Sequence, residues 1–323
     1  MNIVTALETL AIEGMTGDHD RVIETVLSKL FIRGEEVHKA YKHRSADFAD
    51  LTHREVRRVY IAEDFSWNNI MAPEIYLELR PVKKEGILFV HTTEDEAEDW
   101  YIVMKKIDST RDLLRTLETH PPSTADLKRY AEILTKRLRQ LNTEKGAGLA
   151  MHIAKGKAHL SSEVLGVCDW AYTAEPFLSR AEVDTAFTLM ERALREEPYF
   201  SDPIELSVVI DTNPENIIFL DDGVSFIDVM PPKDTWRVHD PYFPLCRTSA
   251  DISALSHADH AEILHVQFGE DATLPPPTVR AVYELAAALI QVPYRKMLER
   301  EDLAESYAEF TRAKIADLEK LLG

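Results

Sequence analysis

The sequence predicts an α+β chain with a small β-rich N-terminal lobe, residues 1–107, and a larger, mainly helical C-terminal lobe, residues 108–323. Three observations predict this organisation. Short apolar segments separated by turn residues dominate the first lobe. Long segments with apolar side chains every three or four residues dominate the second. A strand-turn-strand pattern at 217–227 interrupts those helical segments.

In the first lobe, two short segments flank Gly34, a pattern typical of a β-hairpin. Helical spacing follows, with Val56, Val59, Tyr60 and Phe65 apolar, and it stops before Pro73 because proline and its preceding residue disfavour helix. We expect a small, mostly antiparallel sheet that carries one helix. The predicted strands are 27–32, 36–41, 75–79, 87–91 and 101–107, and the predicted helix is 52–69.

In the second lobe, the clearest helical stripe contains Leu127, Tyr130, Leu134 and Leu138, which recur at helical spacing. Three consecutive prolines, 275–277, announce a further helix, since proline is well accommodated in a first helical turn. The predicted helices of this lobe are 110–118, 123–142, 180–196, 278–291 and 303–322.

Composition narrows the class of protein. A hydrophobic share of 45% with 29% charged residues is typical of a globular protein. The formal net charge of −19 opposes binding to nucleic acids and to anionic lipid, so we expect neither as a partner. The chain has two cysteines, outside any metal or redox motif, and lacks the roughly 20 consecutive apolar residues that span a bilayer. These features favour a cytoplasmic protein.

The most informative motif is DTNPENIIFLDDGVSFID at 211–228. An apolar run, 206–210, leads to Asp211, and Asn216 follows five residues later. Asp-Gly at 222–223 favours a tight hairpin, which closes to bring Asn216 and Asp228 to the same end. Carboxylate and amide oxygens suit Mg²⁺. One proton acceptor and two metal ligands around a nucleotide's terminal phosphate form the layout of a kinase active site. The simpler interpretation is that Asp211 and Asn216 form Asx-turns and that Asp228 caps a turn.

Phosphoryl transfer also needs a cation for the phosphates, and the first lobe offers one on a predicted strand. Lys39 could contact the α- and β-phosphates, with Glu63 or Asp64 of the following helix as its partner. Adjacent helical residues point about 100° apart, so only one of the two carboxylates can face Lys39. Lys42 is the rival lysine, and a solvated surface position is the alternative for either lysine.

With these features in place, the chain resembles the aminoglycoside phosphotransferase-like family of the protein-kinase-like superfamily, in particular its uncharacterised bacterial branch. The matching segments run over nearly the whole chain, and their order is more specific than any one of them. Besides 211–228, they are ETVLS at 24–28, VHK at 37–39, DFADL at 47–51, Asn68 with APEIYL at 72–77, VMKK at 103–106, SADISAL at 249–255 and FTRAK at 310–314.

The resemblance implies a two-lobed protein-kinase-like fold that binds ATP in a cleft, with backbone groups of Met104, Lys105 and Ile107 contacting adenine. It implies that the backbone of 25–28 serves as the phosphate loop. The side-chain roles that it implies are these: Asp211 is the catalytic residue, Asn216 and Asp228 are metal ligands, Lys39 contacts phosphate with Glu63 or Asp64 as its partner, and Asp251 braces the catalytic loop.

The chain departs from the family pattern around the catalytic loop. Val209-Ile210 stand where the family usually has His-Gly, and Asn213 replaces a frequent His. Asp228 is followed by Val229-Met230-Pro231-Pro232, where an acidic residue is common. The expected metal ligands are all present.

The leading hypothesis is therefore an ATP- and Mg²⁺-dependent kinase that moves the γ-phosphate to a hydroxyl of a small molecule. The alternatives are a nucleotide-binding regulatory or scaffold protein of the pseudokinase type, and an enzyme that transfers AMP. The acceptor pocket is expected on helices 281–295 and 307–314, where Arg295, Arg312 and Lys314 would favour an anionic acceptor and an acidic lining an aminated sugar. The sequence does not indicate an oligomeric state.

Overall fold

The structure, a computed structural model, describes residues 2–46, 49–119, 121–221, 223–256 and 274–323. Asp47 and Phe48 of the matched DFADL segment and Asp222 of the predicted turn lie outside the described residues. The chain packs into two compact units. The first contains residues 1–109 and 226–233, and the second contains 110–225 and 234–323. Asp228, which the sequence division assigned to the C-terminal lobe, thus packs with the first unit.

The first unit is built on a six-stranded antiparallel sheet in the order β1-β2-β3-β8-β6-β7. The hairpin predicted around Gly34 joins β2 to β3. The strands are β1 (Arg21–Glu24), β2 (Ser28–Arg33), β3 (Glu36–Tyr41), β6 (Tyr76–Glu85), β7 (Leu88–His91) and β8 (Asp99–Lys105), and β4 (Ser45–Ala46) pairs with β5 (Ala49–Asp50) beside them.

Helices cover both faces of this sheet. Helix α2 (Arg54–Met71) lies on one face, where Ile102 and Met104 of β8 join the core. A short helix that the sequence analysis did not predict, α1 (Ile3–Glu8), covers the other face and packs with Tyr101 and Val103. Because side chains alternate along a strand, Lys39 lies on the α2 face together with Val37 and Tyr41. Alternation within β3 therefore sets the direction of the candidate phosphate-binding lysine.

The second unit is mainly helical. Helix α4 continues past the predicted end at Asn142, and its start is a capping box of Ser123 and Asp126. Helix α8 was not predicted because ten of its fourteen residues are buried and none is exposed, so it has no polar face to mark a helical period. The helices are α3 (Leu113–Thr119), α4 (Thr124–Ile153), α5 (Lys157–Leu165), α6 (Cys168–Ala171), α7 (Arg180–Glu196), α8 (Phe243–Ser256), α9 (Pro277–Met297) and α10 (Glu301–Leu322).

Helix α9 packs against α8 and α10 and forms the centre of the second unit. It runs to Met297 and contains Pro293, whereas the sequence analysis ended it at Gln291. Among the described residues, every helix is too short or too polar to cross a bilayer.

Two short ribbons carry the 211–228 motif. Strand β9 (Ser207–Val208) precedes the motif and pairs with β12 (Val238–His239), which follows it. The predicted hairpin forms between β10 (Ile217–Phe219) and β11 (Val224–Phe226), and the Leu220 N–H donates to the Gly223 carbonyl at 2.8 Å. Asn216 lies directly before β10, and Asp228 lies two residues after β11.

Candidate active site

Lys39 is the centre of a charged cluster within the first unit. Its Nζ lies 3.2 Å from Asp64 Oδ2 and 2.8 Å from Asp228 Oδ1. The side chains of Lys39 and Asp64 are 5% and 3% exposed, whereas that of Asp228 is 61% exposed. We call these three residues the Lys39 cluster. It combines a buried, fixed ammonium with a carboxylate that faces solvent.

The two carboxylates hold the ammonium in its charged form. Burial by itself lowers the pKa of Lys39, but Asp228 and Asp64 outweigh burial and raise that pKa well above its usual range. The Lys39 charge in turn lowers the pKa of Asp228. Nζ also lies 5.0 Å from the centre of the Tyr41 ring, a favourable position for a cation. Lys39 is therefore cationic, and Asp228 anionic, at neutral pH.

Helix α2 and strand β6 fix the backbone at Asp228. This residue has φ of +51°, a left-handed conformation that aspartate tolerates better than most residues. Its N–H donates to the Tyr76 hydroxyl at 3.0 Å, and the next N–H, of Val229, donates to Asn68 Oδ1 at 3.0 Å. Asn68 Nδ2 in turn donates to Asp64 Oδ1 at 3.0 Å. Asn68 thereby connects Asp64 to the segment that carries Asp228.

The structure separates the candidates that the sequence left open. Asp64 pairs with Lys39, whereas Glu63 accepts a hydrogen bond from Trp67 Nε1 at 3.1 Å. Lys42 bonds to Glu24 at 2.7 Å and to the Thr25 carbonyl at 2.5 Å. The Thr25 hydroxyl accepts from the Ser28 N–H at 3.0 Å, which closes the turn between β1 and β2 that the resemblance assigned to phosphate.

The expected adenine-binding segment begins with the last two residues of β8, Met104 and Lys105. Met104 is buried, while Lys105 is exposed and Ile107 is half-buried. The Lys105 N–H donates to the Ile75 carbonyl at 2.8 Å, and the Lys106 N–H donates to the Glu35 carbonyl at 2.8 Å. Within the described part of the chain, the Lys106 carbonyl and the Ile107 N–H make no backbone hydrogen bond. The two groups belong to one trans peptide and point in opposite directions, so only one of them can face a given adenine edge.

In the second unit, β9 positions the loop that begins at Asp211. Asn142 of α4 bonds to both backbone groups of Val208, accepting from its N–H at 2.7 Å and donating to its carbonyl at 3.0 Å. The Val209 N–H donates to the Arg237 carbonyl at 2.9 Å. Val209 and Ile210 are buried, as expected for an apolar run that anchors the loop. Asp211 is the first polar side chain after this anchor.

Both carboxylate oxygens of Asp211 accept hydrogen bonds. Oδ1 accepts from Arg247 Nη1 at 2.8 Å and from the Asn213 N–H at 3.2 Å, and Oδ2 accepts from Asn213 Nδ2 at 3.2 Å. Arg247 Nη2 also donates to Asn213 Oδ1. We call Asp211, Asn213 and Arg247 the loop clamp. The Asn213 N–H bond is the Asx-turn that the simpler interpretation expected, and Arg247, on α8, is the partner that the sequence analysis missed.

Two further side chains from α9 hold the same loop. Gln291 Nε2 donates to Asn213 Oδ1 at 3.0 Å. Arg295 forms a bidentate pair with Glu215, whose second bond, Nη2 to Oε2, is 3.0 Å. Local patterns could not reveal these partners, because α9 lies some eighty residues away from the loop in the chain. The sequence had instead suggested that the polar residues of this helix line a substrate pocket.

The expected metal ligands have suitable chemistry. Asn216 ends a short 3₁₀ turn, its N–H donates to the Asn213 carbonyl at 2.8 Å, and its side chain is half-buried. In the parts of the chain that the structure describes, no group of three or more His, Cys, Asp or Glu side chains is arranged to hold a metal ion. Mg²⁺ in nucleotide sites takes one or two protein oxygens plus phosphates, and the amide oxygen of Asn216 and the carboxylate of Asp228 are each of the type that this ion prefers.

Asp251 lies at the centre of the second unit. It is fully buried and accepts from the Tyr307 hydroxyl at 2.7 Å. Burial raises the pKa of Asp251 to about 7, opposed by the nearby charges of Arg247 and Arg295. Asp251 therefore lies next to the two arginines that hold the loop at 211–216.

The three basic residues expected to favour an anionic acceptor are already paired with carboxylates. Arg312 Nε lies 2.7 Å from Glu182, and Lys314 Nζ lies 2.7 Å from Asp317. Arg295 pairs with Glu215, as described above. These three cations therefore do not by themselves favour an anionic acceptor.

Comparison with solved structures gives matches over almost the full length. The GDP and kanamycin complex of APH(2″)-IIIa has a TM-score of 0.56 and 9% identity, covering 97% of this chain and 98% of that chain. The GDP complex of aminoglycoside 2′-phosphotransferase-IIIa has a TM-score of 0.54 and 11% identity, covering 97% of both chains. The chain has the fold of the aminoglycoside phosphotransferases. This result confirms the predicted protein-kinase-like fold class, with a six-stranded antiparallel sheet and a mainly helical second part.

A third match is a thermostable mutant of APH(4)-Ia in ternary complex with AMP-PNP and hygromycin B, with a TM-score of 0.52, 11% identity, and coverage of 97% of this chain and 98% of that one. No protein-family model and no curated protein matches the chain. At such identities the likeness concerns the fold, so activity has to be argued from this chain's own residues.

Proposed function

We propose that the protein is an ATP- and Mg²⁺-dependent phosphotransferase that moves the γ-phosphate of ATP to a hydroxyl of a small molecule. The observation that carries this proposal is the Lys39 cluster. Burying a lysine is unfavourable unless partners compensate its charge, and here two carboxylates and a tyrosine ring surround it. A cation so fixed is suited to grip phosphate groups.

Lys39 acts as the phosphate contact in this proposal. An ammonium has three donors, and two of them are directed at Asp64 and Asp228. Asp64 is buried and keeps Lys39 in place, while Asp228 is exposed and can bind a cation. Asp64 and Asp228 therefore have different roles in the proposal: Asp64 holds Lys39 in place, and Asp228 binds the metal ion.

Asn216 and Asp228 would hold Mg²⁺ through hard oxygen atoms. Bound Mg²⁺ supplies neutralisation of the phosphate charge that develops during transfer. Asp228 is held for this task by its left-handed backbone and by the bond from its N–H to Tyr76. Strained backbone conformations of this kind cluster at functional sites.

Asp211 would accept the proton of the acceptor hydroxyl or orient that hydroxyl for in-line attack. The Ile107 N–H would donate to the adenine edge, and Met104 and Lys105 would border the base. Solved neighbours described as complexes with GDP, AMP-PNP, kanamycin or hygromycin B support a nucleotide and a hydroxyl-bearing small molecule as the ligand classes.

The test combines a binding assay with a hydrolysis assay. Mg²⁺ and ATP should raise the melting temperature of the wild type, and water should act as a slow acceptor. Asp211→Asn should retain the thermal shift and lower hydrolysis about 100-fold or more, because a general base typically contributes this much. Lys39→Met should lose the shift itself. Lys136→Met, at an exposed position of α4, is the matched control and should resemble the wild type.

A second candidate is a protein that binds nucleotide without transferring phosphate. Two observations favour it: the loop begins with the apolar pair Val209-Ile210, and both oxygens of Asp211 already accept bonds within the protein. A thermal shift with hydrolysis equal in wild type and Asp211→Asn would support this candidate. Mass spectrometry of an acceptor screen separates added phosphate from added AMP.

A further inference from the structure

We propose that Arg247 is a positioning residue that selects Oδ2 of Asp211 as the oxygen that receives the acceptor hydroxyl. The proposal rests on the proposed function, since it gives Asp211 a geometry for that reaction. It starts from the bonds in the loop clamp, all of which lie within the second unit.

The loop clamp is a closed ring of hydrogen bonds. Arg247 donates to Asp211 Oδ1 and to Asn213 Oδ1, and Asn213 Nδ2 donates to Asp211 Oδ2. Two donors fix the orientation of the Asn213 amide, because its oxygen accepts both from Arg247 and from Gln291 Nε2. Rotation of Asp211 about its side-chain bonds would break two of these contacts together.

The ring uses the two carboxylate oxygens unequally. Oδ1 accepts from Arg247 and from the Asn213 N–H, which fills its two lone-pair directions. Oδ2 accepts from Asn213 Nδ2 alone among the described contacts of this carboxylate. One lone pair on Oδ2 therefore remains for a hydroxyl proton, and the Asp211 side chain is 28% exposed.

An arginine suits this role better than a lysine. The planar guanidinium reaches two acceptors at fixed separation, whereas an ammonium is a compact point charge. Helix α8 fixes the guanidinium, whose side chain is only 11% exposed, and Asp251 lies one helical turn further along. The Thr212 hydroxyl donates to the Pro244 carbonyl of the same helix at 3.4 Å, so α8 contacts the loop at two points.

The experiment compares Arg247→Met and Arg247→Lys with the wild type and with Asp211→Asn in Mg²⁺-dependent ATP hydrolysis. Arg247→Met should lower kcat about 100-fold, as expected for a misplaced catalytic group, with KM for ATP within about twofold. Arg247→Lys should recover part of the loss, since a lysine reaches one acceptor at a time. Adding Asn213→Ala to Arg247→Met should cost little more, because the two side chains act as a unit. Arg192→Met, which removes a half-exposed arginine from α7, is the control.

Each outcome bears on one claim. If Asp211→Asn loses hydrolysis while Arg247→Met keeps it, the positioning role is refuted and the proposed function stands. The role is also refuted if Arg247→Met and Arg247→Lys lose the same share of total hydrolysis through a lowered melting temperature, while kcat per folded molecule stays unchanged. Equal hydrolysis in wild type and Asp211→Asn refutes the role of Asp211, and the role of Arg247 falls with it.

Discussion

Lys39 in the first unit and Asp211 in the second each carry a charge that the proposed reaction needs, but their surroundings differ. Lys39 and its partner Asp64 are almost completely buried and contact each other across a sheet and its helix. Asp211 is partly exposed and lies in an irregular loop, held by Arg247 from α8. Strand β3 and helix α2 position Lys39 and its partner, whereas side chains from distant helices position Asp211.

This difference predicts different costs of mutation. Removing one member of a buried ion pair leaves an uncompensated charge in a dry environment, which is strongly destabilising. Removing Arg247 from the loop clamp leaves Asp211, whose side chain is 28% exposed, so water can partly solvate the remaining charge and the cost to stability is smaller. We therefore expect the Lys39 cluster to affect folding and nucleotide binding together, and the loop clamp to affect turnover more than folding.

The largest effect is expected for Lys39→Met, which leaves Asp64 buried without its cation. The free energy of unfolding should fall by about 3–5 kcal/mol. Adding Asp64→Leu should restore much of the stability, since an apolar pair can replace a buried ion pair, but should not restore the ATP-induced thermal shift. Urea unfolding of both variants checks this. A double variant as unstable as the single one would contradict the electrostatic explanation.

Asp251→Asn should change the pH dependence of stability. The pKa of Asp251 is about 7 in the fold against 3.8 for the free group, so the folded protein keeps a proton that the unfolded chain releases. The contribution of Asp251 to the stability of the wild type therefore falls as pH rises from about 4 to 7. The free energy of unfolding of Asp251→Asn, relative to that of the wild type, should rise by up to about 4 kcal/mol over that range. Urea unfolding at pH 4.5, 6 and 8 measures it, with Asp169→Asn at an exposed position as control. Parallel curves for wild type and Asp251→Asn would exclude a raised pKa.

The ion pair of Glu215 and Arg295 allows a buried charge and a partly exposed charge to be compared within one contact. The Arg295 side chain is 1% exposed and that of Glu215 is 31% exposed. Glu215→Ala should therefore destabilise more than Arg295→Met, by about 1–2 kcal/mol, because only the first leaves a buried charge unpaired. Melting curves of the two variants decide the order, and the reverse order would mean that packing of the arginine stem outweighs charge.

Tyr76→Phe should give the smallest change. It removes the hydroxyl that accepts the Asp228 N–H, which is a single hydrogen bond, so the loss of stability should be about 1 kcal/mol. Because φ of Asp228 is then less constrained, Mg²⁺ should be needed at higher concentration to give the same thermal shift. A magnesium titration in the presence of ATP measures this, with Tyr60→Phe on α2 as the comparison. An unchanged titration would show that Asn68 alone positions the segment.

Local patterns predicted much of the fold and the candidate residues. Strand β3, the hairpin at 217–226 and helix α7 form where periodicity and turn residues indicated. The buried helix α8 was missed because a helix surrounded by protein has no polar face to reveal its period. The choice between Glu63 and Asp64 was open because it depends on how α2 is rotated against the sheet, which no local pattern contains.

Local pattern specifies which residue types are available and which side of a strand or turn they occupy: Lys39 on alternate positions of β3, and Asp211, Asn216 and Asp228 around one hairpin. The partners of these residues depend on how distant elements pack. Lys39 and Asp228 are 189 positions apart, and Arg247 and Asp211 belong to different elements. Such contacts arise when separate helices and strands bury their apolar faces together, and local periodicity does not specify which charges that packing brings within bonding distance.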